Sequence, residues 1–199
     1  MNTMTTPRYL IVGAVLALTC KVGAASEITF LDGGYSELCS VVAKQVDKPQ
    51  PVNITGSRLD VSPLQVCTLA IAEDSFARRL ASGNYNNRGV IHFSRGEYEE
   101  ALRDFREAIR RQPELAVAHV NLGYTYVAQQ RWAEAIDPLT LGIALGAEDL
   151  PKVYFNRGIA HEETGRIREA YEDYLKASEL APEWEDPKRE LTRFNVVKR

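Results

Sequence analysis

From residue 82 onward, small and apolar positions fall into a repeating order. Gly89, Gly123 and Gly158 stand 34 and 35 residues apart. After each glycine a helical pattern of apolar residues runs for about three turns. The pattern breaks at Arg95-Gly96, Gln130-Arg131 and Gly165-Arg166, resumes, and ends near Pro113, Gly146 and Pro182. Each unit therefore reads as helix, tight turn, helix, and a fixed period of this size predicts stacked units forming a solenoid.

The small residues have a physical reason. A glycine inside a helix costs about 1 kcal/mol relative to alanine, so three at one register predict a second helix packed very close. Ala101, Ala135 and Ala170 lie twelve positions after the glycines and predict the facing surface. Phe105, Leu139 and Tyr174 follow one helical turn later on the same face. Ala108, Gly142 and Ala177 complete the stripe, and Pro113 and Pro182 end their helices because proline cannot continue one.

These residues resemble the tetratricopeptide repeat, a family of stacked antiparallel helix pairs. The first unit, residues 82–115, carries Gly89, His92, Ala101, Phe105, Ala108 and Pro113 at the family's marked positions. The second, 116–149, carries Gly123, Tyr126, Ala135 and Leu139, and departs at Gly142 and Ala147. The third, 151–184, carries Gly158, His161, Ala170, Tyr174, Ala177 and Pro182. The resemblance implies an all-α fold: an α-solenoid of about three repeats over residues 82–184.

Charges refine the picture. Arg88 and Asp104 occur together in the first unit, and Arg157 and Asp173 take the same places in the third. The second unit has Leu122 and Pro138 there and has lost both. This joint presence predicts an Arg88–Asp104 and an Arg157–Asp173 contact between the two helices of a unit. As exposed pairs they would contribute about 0–1 kcal/mol.

A solenoid needs caps at its ends. Residues 185–199 read as a C-terminal capping helix, with Leu191, Phe194 and Val197 at helical spacing. Residues 25–81 read as an N-terminal segment holding a degenerate helix pair. Ser36 to Lys48 has a helical apolar face, and Lys48 to Arg58 has a loop composition. Ser62-Pro63-Leu64-Gln65 is a capping box with proline at the first helical position. In the helix that follows, Cys67, Ala70 and Ile71 align with Phe105, Ala108 and Ile109.

The first residues place the chain. Arg8 precedes an apolar run from Tyr9 to Cys20, followed by small residues at Ala24 and Ala25. That order predicts a cleaved signal peptide over residues 1–24, the run being shorter than the roughly 20 apolar residues of a membrane span. An uncleaved anchor is the alternative. Acylation at Cys20 is disfavoured because Thr19 stands where a small residue is needed. Cleavage would remove Cys20 and leave Cys39 and Cys67, an even pair whose simplest state in an exported chain is a disulfide. Two buried free thiols are the other option. The 199 residues carry a net charge of −3, so no basic excess points to nucleic acid. Asn53-Ile54-Thr55 matches a glycosylation acceptor, which matters only in a eukaryotic secretory pathway.

Candidate chemistry is sparse. His92, His119 and His161 read as structural filling rather than ligands. No metal spacing, nucleophile elbow or phosphate loop is present. The expectation is a non-enzymatic chain without cofactor or metal. In tetratricopeptide arrays the first helices line a concave groove, and the resemblance places Asn86, Asn87, Val90 and Phe93 of the first unit there. Val120, Asn121, Tyr124 and Val127 of the second unit join them, with Lys152, Phe155, Asn156 and Ile159 of the third. Asn87, Asn121 and Asn156 would form an amide row suited to a peptide backbone, since an amide both donates and accepts; asparagine filling the position without a ligand role is equally open. The family's clamp for a C-terminal acid is matched only at Asn121 and Lys152, because Asn86, Val90 and Asn156 replace its remaining polar residues. The expected partner is a peptide or protein, for a scaffold or assembly factor of the bacterial periplasm. The alternative is a structural protein that stacks through the array ends.

Overall fold

The computed structural model describes residues 18–22, 26–30, 34–44, 52–55, 60–73 and 78–194. The repeats fold as three helix pairs: α3 (Arg78–Ser94) with α4 (Tyr98–Arg111), α5 (Ala116–Ala128) with α6 (Trp132–Ala144), and α7 (Leu150–Glu163) with α8 (Ile167–Leu180). Each helix packs most heavily on its own partner, and α4 on α5 and α6 on α7 join the pairs. No helix among the described residues is long and apolar enough to cross a membrane.

The glycines sit where the pairs close. A Cβ on Gly89 would lie 2.6 Å from the Phe105 ring, and one on Gly158 would lie 2.8 Å from the Tyr174 ring. In the second unit Gly123 meets Leu139 in the same way, at 2.5 Å. Phe105, Leu139 and Tyr174 are buried, as are Ala101, Ala135 and Ala170. The unusual Gly142 has its own contact: its missing side chain leaves room for Val120, whose Cγ2 would be 2.5 Å from an added Cβ. The departure from alanine thus lets α5 and α6 approach closely.

The helix–helix turns carry one left-handed residue each. It is Gly96 in the first unit and Gly165 in the third, with φ of 75° and 76°, but Gln130 in the second, with φ of 58°. That conformation is strained for a residue with a Cβ. Pro138 lies inside α6 where the other units have aspartate, and it forgoes one helical hydrogen bond. The second unit is the irregular one throughout.

Both expected ion pairs are present. Arg88 donates from Nε and Nη2 to Asp104 at 2.8 and 2.7 Å, and Arg157 does the same to Asp173 at 2.8 and 2.7 Å. They are not surface pairs: Asp104 and Asp173 are each only 5% exposed. Bidentate geometry and burial make them far more consequential than the exposed pairs they were expected to be.

The N-terminal cap is α1 (Gly34–Ala43) and α2 (Pro63–Glu73). The capping box forms, with the Ser62 amide donating to Gln65 Oε1 at 2.8 Å and the Gln65 amide to Ser62 Oγ at 3.3 Å. Leu38, Cys39, Val42, Val66, Cys67 and Ala70 bury against Ile91 of α3, and a Cys39–Cys67 disulfide joins the two helices. Arg88 also reaches Thr68 Oγ1 at 3.4 Å, as Arg157 reaches Thr140 Oγ1 at 3.0 Å. Thr68 and Thr140 each directly follow the residue that fills the glycine-facing position, Cys67 and Leu139. So α2 stands to α3 as α6 stands to α7, and the cap is in register with the array.

The expected helix from Ser36 to Lys48 ends at Ala43, with Lys44 in a turn; residues 45–48 lie outside the described residues. The expected loop contains a strand. β1 (Leu18–Val22), β2 (Ser26–Phe30), β3 (Val52–Thr55) and β4 (Asp60–Val61) form an antiparallel sheet in the order β2-β1-β3-β4. Val-Asn-Ile-Thr alternates β-branched residues with the one asparagine, which outweighs its Pro- and Gly-rich flanks. β1 falls inside the expected signal peptide, so cleavage after Ala24 or Ala25 would take it from between β2 and β3. Residues 1–17 and 23–25, including Arg8, lie outside the described residues.

At the other end α9 (Glu185–Leu191) closes the array. Pro187 is buried, Trp184 stacks 4.8 Å from Phe155, and Phe194 packs edge-on to Tyr171 and Tyr174 at 5.7 and 5.9 Å. Its outer residues Glu185, Lys188, Arg189 and Arg193 are exposed. Val197 lies outside the described residues.

Candidate partner groove

The first helices α3, α5 and α7 are neighbours across the units, and the groove runs over them. The asparagines divide. Asn121 donates from Nδ2 to Asn86 Oδ1 at 3.0 Å, and Asn86 donates to Asn87 Oδ1 at 3.4 Å. Asn156 instead donates to the Lys152 carbonyl of its own helix at 2.9 Å. The amides therefore form a linked chain over α3 and α5, with Asn156 apart, rather than a row of three equivalent groups. Asn86 is buried and Asn87 and Asn121 half-buried.

The apolar residues divide too. Phe155 turns toward Tyr174 and Trp184, with ring centroids 5.5 and 4.8 Å away. Phe93 sits 5.5 Å from Tyr98 at the start of α4. Val90, Val127 and Ile159 are half-buried. Val120, Asn121, Tyr124 and Lys152 instead meet around one open pocket of 570 Å³. Its other lining comes from Leu115, Ala116 and Val117 at the start of α5, from Gly146 to Asp149 between α6 and α7, and from Val153. Val117 is 46% exposed, a large apolar residue left facing solvent. Sequence reasoning missed Val117, Glu148 and Asp149. Val117 holds the place in the second unit that Lys152 holds in the third, so the register pointed to it; Glu148 and Asp149 lie in the longer loop between α6 and α7, outside the repeat pattern.

The polar side chains of this pocket are those of Asn121, Tyr124, Glu148, Asp149 and Lys152. One N–H of the Asn121 amide is committed to Asn86. Lys152 Nζ is held by Asp149 Oδ2 at 2.6 Å. Glu148 has no ion-pair partner among the described residues. Burial, aided by Asp149, raises the Tyr124 phenol well above its usual range, so it stays protonated.

The histidines serve the scaffold. His119 donates from Nε2 to the Pro113 carbonyl at 2.8 Å. His92 and His161 occupy equivalent places, each with Nε2 3.8 Å from the aspartate of its ion pair. They differ eight residues after the repeat glycine, where the first unit has Glu97 and the third Arg166. His92 Nδ1 pairs with Glu97 at 2.5 Å, whereas His161 Nδ1 is buried without a partner. Burial lowers the His161 pKa; Arg157 and Arg166 push the same way, against Asp173 and Glu169. A pKa lower in the folded than in the unfolded chain means the unfolded chain binds more protons. The neutral imidazole's contribution is thus present above about pH 6.5 and lost as pH falls through the folded value. The urea midpoint of the wild type is expected to fall between about pH 7.5 and 5.5, and that of His161→Phe to fall less. Equal losses in both would mean that His161 binds protons alike in the folded and unfolded chains.

Two segments match the model of the tetratricopeptide repeat, residues 85–115 and 151–184. They coincide with the first and third helix pairs, and the geometry of the second repeats theirs. The chain belongs to the tetratricopeptide repeat family. Among the solved arrays it resembles is the first repeat domain of Spaghetti (RPAP3) bound to the HSP90 peptide SRMEEVD. That array is 26% identical, with a TM-score of 0.53, covering 56% of this chain and 88% of that one. MamA AMB-1 shares the fold at 17% identity, with a TM-score of 0.62 over 80% of this chain and 78% of that one. Among curated proteins, RNA polymerase II-associated protein 3 of Rattus norvegicus is 28% identical over 108 residues, 54% of this chain and 16% of that protein. The Hsp70-Hsp90 organising protein of Plasmodium falciparum is 30% identical over 90 residues, 45% of this chain and 35% of that protein. The tetratricopeptide array thus spans only a minor part of those relatives' length.

Proposed function

We propose that this chain is an exported, non-enzymatic interaction module that holds a segment of a protein partner in the α3–α5–α7 groove, as a scaffold or assembly factor of the bacterial periplasm. The observation that carries the reading is Asn121. One amide ends the linked chain to Asn86 and also lines the 570 Å³ pocket. A polar track for a backbone and a recess for a side chain are therefore continuous, as an extended segment requires. Peptide binding by the Spaghetti array supports the same reading. The histidines are engaged in the scaffold or buried, in keeping with a binding rather than a catalytic role.

Export rests on the apolar run after Arg8, and the Cys39–Cys67 bond favours the same compartment. Stacking through the array end is disfavoured, because the exposed charges of α9 would have to be desolvated. The test is crosslinking of the intact chain in its native host, wild type against Asn121→Ala with Val117→Arg. Loss of one crosslinked partner in a folded double variant supports the groove. An unchanged set moves binding to another face, and recovery of the chain in the cytosolic fraction removes the periplasmic part.

A further inference from the structure

We infer that the pocket between α5 and α7 selects a basic, not an acidic, peptide segment: a bulky apolar side chain with an arginine or lysine beside it. This rests on the groove reading above and adds its sign. The floor is apolar, with Leu115, Val117, Val120 and Val153, and Val117 is 46% exposed. The rim is polar. Asn121 offers its carbonyl oxygen and one remaining N–H, the other N–H donating to Asn86 at 3.0 Å. Glu148 adds a carboxylate with no ion-pair partner among the described residues. The single cation, Lys152, is held by Asp149 at 2.6 Å. A guanidinium or ammonium supplies the positive charge that complements the unpaired Glu148 carboxylate.

The contrast with the Spaghetti array makes the inference specific. The peptide bound there, SRMEEVD, ends in acids. An acidic end entering this pocket would face the unpaired Glu148 carboxylate, with the lining cation Lys152 already paired to Asp149. Like charges across an interface are penalised, and that penalty sets specificity more than affinity.

The probes are four labelled peptides added to the full chain at low salt. Three are blocked at both ends, GSRLFRSG, GSSLFSSG and GSELFESG, and the fourth is SRMEEVD with its free carboxylate. GSRLFRSG is expected to bind about tenfold more tightly than GSELFESG. The gap should narrow as salt rises. Glu148→Lys should remove or invert the preference, and Glu148→Gln should weaken it in the same direction while keeping the side-chain shape. Val117→Arg should abolish binding of the apolar pair. Equal binding of all peptides, or preference for an acidic one, overturns the inference and leaves the groove reading standing. Binding that survives Val117→Arg also overturns it, because the site is then elsewhere. Failure of every peptide to bind overturns both.

Discussion

Asp173→Ala is expected to lose about 2–4 kcal/mol of unfolding free energy, the range for removing one partner of a buried ion pair after allowing for partial exposure. The carboxylate is 5% exposed and takes two hydrogen bonds from Arg157, at 2.8 and 2.7 Å. Without it the guanidinium keeps one bond to the array, to Thr140 Oγ1 at 3.0 Å, and its place over the Tyr154 ring. Its charge is then uncompensated beside buried His161. The second unit shows that the fold does not require the pair: Leu122 and Pro138 stand there, and α5 and α6 still pack. An Arg157→Leu, Asp173→Leu double variant is therefore expected to recover most of the loss. Urea unfolding of the wild type, Arg157→Leu, Asp173→Leu and the double variant measures the coupling. A loss below about 1 kcal/mol in Asp173→Ala would place the pair with ordinary surface pairs.

That pair was legible in the sequence because its two charges disappear together in the second unit. The glycine contacts were legible too, since a costly residue at one register has few explanations other than close packing. The groove was less so. Which amide Asn121 would bond depends on a side chain across the helix interface, and Asn86 and Asn87 are both within one residue of the expected row. Phe155 sits at a groove position by register, but Trp184, at the very end of the third unit and after α8, packs against it from the other side. The pocket rim is set by Glu148 and Asp149 in a loop one residue longer than the period, where a periodic pattern carries no information. β3 was not legible for the opposite reason: its three β-branched residues stand between Pro51 and Gly56, which read as a loop.

Removing the disulfide by Cys39→Ala with Cys67→Ala is expected to cost the N-terminal cap about 3–4 kcal/mol, from the loop entropy of a 28-residue separation. The loss should be local. α1 and α2 reach the array through a small core centred on Ile91, and Leu102, Val120, Leu139 and Val153 form a separate core further along. Stability in stacked units is close to a sum of unit and neighbour terms, so a weakened end frays before the middle. Hydrogen exchange should accordingly show α1 and α2 losing protection while α5 to α8 keep theirs. The Arg88–Asp104 pair sits at the boundary, since Arg88 also reaches Thr68 of α2. A reductant acting on the wild type should reproduce the pattern, which separates loss of the bond from loss of the sulfur atoms' packing. Equal loss of protection in every helix would mean that cap and array unfold as one unit. An unchanged α1–α2 pair would mean that packing on Ile91, not loop closure, holds the cap.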